Sequence, residues 1–222
     1  MTAERVRVRR APERGRYARS DIHEVLDAAM VVHIAFVEDG QPYCIPFLHA
    51  RVRNALYIHG STGSRTLRLL GDGAPACATI TILDGLVLAR SVFEHSANYR
   101  SVTLLGRFTR VPAGERGAAL EAFTDRLVPG RWSEVRAPSP KELAKTSVLA
   151  MAIDEASVKM RTGPPSDGDS PDATDDVWAG ILPMTIRLGT PEPAPELPHG
   201  LPLPQSVRNL CAATSDHHGG ER

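Results

Sequence analysis

Residues 56–70 read LYIHGSTGSRTLRLL. Leu56, Tyr57 and Ile58 are strand formers. Gly60, Ser61, Thr62 and Gly63 make a turn, and Ser64 ahead of Arg65, Thr66 and Leu67 opens a short helix at a favoured capping residue. A strand that passes through a turn into a helix leaves free backbone N–H groups and the positive end of the helix dipole at the turn. Two hydroxyls and the Arg65 guanidinium at that point can add charge-assisted bonds to a phosphate. The same letters also describe an ordinary capped helix with a solvent-facing arginine, so the reading turns on what surrounds them.

Downstream, residues 74–111 carry two long runs rich in β-branched residues on either side of a polar link at residues 90–98. Residues 76–83 alternate Ala76, Ala78, Ile80 and Ile82 against Cys77, Thr79, Thr81 and Leu83, the pattern of a strand covered on both sides, and residues 86–93 and 101–111 continue the sheet. Upstream, Ser20 caps a helix at residues 21–29 whose Ile22, Val25, Leu26 and Ala29 share one face. Residues 31–37 form a strand, Asp39-Gly40 a hairpin turn, and residues 43–50 the returning strand, where Pro46 requires an edge or a bulge. A third strand spans residues 52–59, with a tight link near Arg53-Asn54, and the helix at 64–70 ends on Gly71. Many short strands around one small helix predict a closed or split barrel.

Beyond the barrel strands, residues 115–127 form a helix with Ala119, Leu120, Phe123 and Leu127 on one face, and residues 129–140 a loop holding Trp132. A short helix at 141–145, a strand at 147–153 and an extended edge at 154–159 follow. Residues 163–176 turn to Gly, Pro, Ser and Asp and read as a mobile loop. The organisation expected is an Arg-rich arm at 1–19, a barrel domain at 20–188, and a proline-rich tail at 189–222 without fixed structure.

The chain has 222 residues, with 26 basic and 26 acidic side chains, so no overall field draws it to nucleic acid. Seven arginines (Arg5, Arg7, Arg9, Arg10, Arg14, Arg16 and Arg19) crowd the first twenty positions and read as a strap over a partner subunit or over the barrel itself. There is no apolar core of a secretory signal and no run long enough to span a membrane. The three cysteines (Cys44, Cys77 and Cys211) form no C-x-x-C pair, which argues for a reduced, cytoplasmic setting. No G-x-S-x-G elbow, G-x-G-x-x-G fingerprint or P-loop lysine occurs.

The segments DGQPYCIPF (residues 39–47), LYIHGSTGSRT (56–66), LDGLVLARS (83–91), HSANYRSVTLLG (95–106), VKMRTGPP (158–165) and WAGILP (178–183), in this order, resemble the pyridoxamine 5′-phosphate oxidase-like, FMN-binding split-barrel superfamily. They are most similar to its nitroimidazole-resistance branch. The resemblance implies a mainly β split barrel with flanking helices that binds FMN, with FAD or haem as alternatives, as a homodimer. It places Ser64, Arg65 and Thr66, with Gly60 and Ser61 before them, at the flavin phosphate. Thr66 replaces the lysine usual there, and Arg68 is a possible substitute for its charge. Ile45, Pro46 and Phe47 would line the flavin ring, and Arg100 and Ser101 would lie at its polar edge. His59 is the candidate catalytic residue, as hydrogen-bond partner or proton donor, with His95 and Tyr99 facing the same region.

The activity implied is an FMN-dependent oxidoreductase acting on a small organic molecule, a nitroaromatic among the candidates, with NADH or NADPH as candidate donor. A flavin supplies the redox chemistry itself, so the absence of an acid–base dyad does not count against it. The rival readings are a flavin-binding protein without turnover and a haem-binding split barrel that uses His59 or His95 as ligand.

Overall fold

A computed structural model describes residues 4–198 and 200–215. Its first elements are a two-residue strand, β1 (Gly15–Arg16), and helix α1 (Arg19–Ala28), which buries the Ile22, Val25 and Leu26 stripe. The helix begins one residue before the expected cap: Ala18 holds the capping position, and Ser20 lies inside the first turn. β2 (Val31–Glu38) and β3 (Gln41–Leu48) form the expected hairpin. Asp39 and Gly40 at its tip have φ of 50° and 79°, as a two-residue turn between twisted strands requires. Pro46 sits opposite His33 on β3, the last strand of its sheet, where a missing N–H costs the ladder nothing.

The expected third strand is itself a hairpin. β4 (Ala50–Val52) and β5 (Ala55–Ser61) pair through Val52 and Ala55. Arg53 between them takes φ of 54°, a conformation its side chain does not advertise in sequence. Helix α2 (Arg65–Gly71) follows and buries Leu67 and Leu70. Gly71 closes the helix, and the left-handed residue comes at Gly73. The two strands expected at residues 76–83 and 86–93 are one continuous strand, β6 (Pro75–Leu88), which passes a bulge between Leu83 and Gly85. β7 (Ser96–Arg107) returns alongside it and is followed by the short β8 (Thr109–Arg110).

Helix α3 (Arg116–Leu127) buries Ala119 and Phe123. The loop expected around Trp132 contains a short helix, α4 (Arg131–Glu134), ahead of α5 (Pro140–Lys145) with its Ser139–Glu142 capping box. β9 (Thr146–Ala152) and β10 (Glu155–Arg161) complete the two sheets, and β11 (Gly180–Pro183) pairs with the far end of β6. The 163–176 loop is pinned: the buried Asp167 carboxylate accepts from the Arg90 N–H at 2.7 Å and its guanidinium at 3.1 Å. The tail carries helix α6 (Gln205–Ser215), tied by the Ser206 N–H to Glu134 at 2.9 Å. The tail beyond it, with His217 and His218, lies outside the described residues.

The larger sheet runs β1-β10-β7-β6-β2-β3, and the smaller β4-β5-β9-β8. Their inner faces share one core. Ile34, Phe36, Ile80, Leu104 and Val158 come from the larger sheet, and Leu56, Ile58, Leu149 and Met151 from the smaller, with α1 and α2 filling the gaps. This is a split barrel. The Arg-rich arm does not stand apart from it. β1 pairs with β10, Val6 is buried, and the Arg5 guanidinium is bonded to Glu155. Among the described residues, no helix is long and apolar enough to cross a membrane.

Candidate functional site

The decisive geometry is the alternation along β5. Leu56 and Ile58 point into the core, while Tyr57 and His59 face outward beneath α3. Gly60 turns back to the inner side. A Cβ there would stand 2.9 Å from Leu67 Cδ1, so α2 seats closely because that residue has no side chain. The turn is then held by its own bonds. Ser61 Oγ accepts from the Gly63 N–H at 3.1 Å, the Thr62 N–H donates to the Lys145 carbonyl at 2.9 Å, and Ser64 Oγ caps α2 by accepting from the Leu67 N–H at 3.3 Å. Thr66 follows on the first turn of α2. Arg65 leaves the helix start toward the β2–β3 hairpin, with its guanidinium 3.1 Å from Glu38 Oε2 and 5.2 Å over the Tyr43 ring.

His59 packs edge-on against Phe123, with centroids 4.4 Å apart and an 87° angle between the rings. Its Nδ1 is buried without a hydrogen-bond partner among the described residues. Burial pushes the imidazole pKa down, so the ring is neutral at physiological pH. The structure therefore separates residues that the resemblance groups together: Ser64 and Arg65 belong to the α2 side of β5, and His59 to the α3 side.

Arg100 and Ser101 lie elsewhere again. Arg100 grips Asp84, in the β6 bulge, through two bonds of 3.0 and 2.7 Å, and Ser101 Oγ donates to the Lys159 carbonyl at 3.1 Å. Arg100 is level with Ile82, whereas Arg65 reaches Glu38 at the opposite end of the sheet. Eight residue steps separate those levels along β2 and β6, or about 26 Å at ~3.3 Å per residue. Ile45 and Phe47 turn inward and pack on the core, while Pro46 is exposed. His95 folds onto its own loop, its Nδ1 3.3 Å from the Ala89 N and 2.9 Å from the Ser91 carbonyl.

Sequence reading missed a groove of about 830 Å³ on the outer face of the larger sheet, lined by Ala35, Val37, Pro42, Cys77 and Leu105. The signal was present, because Ala35, Val37, Cys77 and Leu105 alternate with core residues and are themselves apolar. Tyr43 borders this groove, but its ring lies on the inner face, stacked on Phe36 with centroids 5.5 Å apart, and Arg65 meets it there. A phosphorylated planar ligand fits the Tyr43–Arg65 pair in kind, with an aromatic ring to pack on and a guanidinium over it. It fits once Arg65 exchanges Glu38 for the ligand. The Arg65 side chain is 61% exposed, so solvent screens the ion pair it gives up and the exchange costs little.

Residues 18–160 match the pyridoxamine 5′-phosphate oxidase family. Among solved structures, the FAD and haem binding protein from Mycobacterium smegmatis is 44% identical, with a TM-score of 0.86 over 89% of this chain and 97% of that one. The flavocytochrome Anf3 from Azotobacter vinelandii is 34% identical, with a TM-score of 0.88 over 94% and 97%. A protein described as a 5-nitroimidazole antibiotic resistance protein, from Bacteroides thetaiotaomicron, shares the fold at 16% identity and a TM-score of 0.54, over 65% and 85%. Among curated proteins, none matches the chain at a significant level.

Proposed function

This chain belongs to the pyridoxamine 5′-phosphate oxidase family, and on that premise we propose that it binds a flavin nucleotide and acts as an oxidoreductase on a small organic molecule. The observation that carries the reading is the near-full-length likeness to an FAD and haem binding protein and to a flavocytochrome. FAD is the nucleotide that the 44% identical structure names; FMN is the one the split-barrel resemblance implies. The flavin, when bound, supplies electron transfer. The chain supplies Arg65 with Ser61 and Thr66 for the phosphate, and the Tyr43 ring beside Arg65 for the flavin ring to pack on.

The active unit is proposed to be a homodimer. The sheet levels of Arg100 and of Glu38, which Arg65 contacts, lie about 26 Å apart by strand spacing, so a flavin that uses both arginines draws them from two copies. Exposed Val31, Val37, Leu48 and Leu83 on the same sheet face give a second copy an apolar surface to cover. Reduced cysteines and a cytoplasmic setting go with this reading, as do NADH or NADPH as donor and a nitroaromatic as one candidate substrate.

A second reading, haem binding at His59, is favoured by one feature: its imidazole is neutral and its Nδ1 unpartnered, as a metal ligand must be.

The test is the absorbance spectrum of the purified and flavin-reconstituted protein, with the released cofactor identified by chromatography and the mass of the assembly by light scattering. Two visible flavin bands and a dimer are expected. Arg65→Ala should weaken nucleotide binding by about 1.5–3 kcal/mol, the scale of a charge-assisted bond, and leave riboflavin binding unchanged. A wild type that takes up no flavin overturns the reading. If haem is held at His59, His59→Ala loses the Soret band and keeps the flavin. Equal spectra for the two proteins remove His59 from that role.

A further inference from the structure

The VKMRTGPP segment plays no part in the site described above, yet it contains Arg161, a buried arginine with no acidic partner. Arg161 is only 8% exposed. Its Nη1 donates to Asn98 Oδ1 at 2.5 Å and to the Gly163 carbonyl at 3.2 Å, and its Nη2 to the Pro164 carbonyl at 3.0 Å. All three acceptors are neutral, and among the described residues no carboxylate stands within ion-pair distance of it. Gly163 adopts φ of 107°, a conformation that side chains rarely permit, and its carbonyl also accepts from Asn98 Nδ2 at 3.2 Å. The backbone is thus shaped around this one cation. Hydrogen bonds to neutral groups satisfy its protons but leave its charge uncompensated, and a buried charge is costly until it is paired.

Arg161 opens onto a pocket of about 390 Å³ whose lining also includes Arg14, Arg16, Thr162 and Ser166, together with Glu13. The arm brings the second and third guanidinium groups here because β1 is registered on β10, Arg16 against Val158. Glu13 lies 3.6 Å from Arg14 Nε and offsets one of the three positive charges, so the pocket keeps a net charge of about +2 with two hydroxyls beside it. We propose that this pocket binds a phosphate-bearing anion, a phosphate monoester or a diphosphate group. Guanidinium forks match phosphate oxygens in pairs, and hydroxyls complete such a shell. The pocket is separate from the Ser64–Arg65 turn: Arg161 pairs with Tyr99 of β7, near the Arg100 end of the sheet.

Calorimetric titration of the full-length protein with inorganic pyrophosphate, and separately with glycerol phosphate, tests the assignment at low salt. Saturable binding at one site per chain is expected, the stronger ligand showing which phosphate class the pocket prefers. Arg161 anchors the Gly163–Pro164 turn and its loss endangers folding, so the informative variant is the arm pair Arg14→Gln/Arg16→Gln, whose bonds are to the arm's own Glu13 and Gly15. That variant should unfold at the wild-type temperature without ligand and bind the preferred anion at least tenfold more weakly. Arg65→Ala should bind it as the wild type does. No saturable binding by the wild type overturns the proposal. So does binding that survives in Arg14→Gln/Arg16→Gln and disappears in Arg65→Ala, which would put the anion at the α2 turn. The probes are added directly, so the outcome stands whether or not the protein carries flavin.

Discussion

His49 shows how a single residue can set the acid limit of this fold. It is 1% exposed, and its Nε2–H donates to the Leu26 carbonyl at 3.0 Å. Nδ1 is buried with no partner among the described residues. Burial pushes its pKa down, against a smaller upward push from the Leu26 and Met30 backbone. Below the unfolded value of about 6.5, the unfolded chain therefore binds a proton that the folded one refuses. Stability from this residue is complete above that pH and falls as pH drops toward the lower folded pKa. His59, depressed by burial as well, adds in the same direction. Thermal unfolding followed between pH 7 and 5 should show a falling midpoint in the wild type and a flatter profile in His49→Gln. Parallel profiles for the two proteins would assign the acid sensitivity elsewhere.

At the level of elements, the β6 bulge decides where β11 can sit. Gly85 pairs with Pro183, and a Cβ at Gly85 would stand 2.9 Å from the Leu182 carbonyl oxygen and 3.2 Å from Ile181 Cγ2. The nearest of these atoms is backbone and cannot rotate away. Gly85→Ala should cost about 1–3 kcal/mol by overpacking and lift β11 from β6. Hydrogen exchange at Ile181 and Leu182 would report this, and unchanged protection there would refute it.

The same bulge explains what could be read in the sequence. Asp39-Gly40 was legible as a turn because the residues on either side alternate in matched runs. Asp84-Gly85 carries the same two letters, but β6 continues through it, since the Asp84 carboxylate is held by Arg100 from the next strand. That partner is distant in sequence and invisible to local pattern. The residues of the turn between β5 and α2 were legible one by one. Their separation from His59 was not read, because it depends on which sides of β5 the helices α2 and α3 pack, just as the attachment of Arg65 to Glu38 and Tyr43 depends on where the hairpin docks. Helix α6 was hidden by the proline-rich stretch before it, and its anchor, Glu134, comes from a helix that reads as loop.

For the whole molecule, the feature with the widest consequence is how the larger sheet ends. On one side, β3 pairs with β2 without interruption from Leu48 to Gln41, so Pro42 and Pro46 stand where their missing N–H groups would have pointed to solvent. On the other side, β10 is covered by β1 and by the arm preceding it. A sheet finished in this way offers no template for lateral growth. The arm is then a guard against polymerisation, and its seven arginines add like-charge repulsion between molecules at the edge it protects. Deleting residues 1–17 should leave the barrel core intact while baring the β10 amides to a neighbouring chain. Light scattering and a fibril-sensitive dye should detect β-rich self-assembly in the shortened protein at concentrations where the intact chain stays dispersed, and a monodisperse truncated protein would show that β10 guards itself.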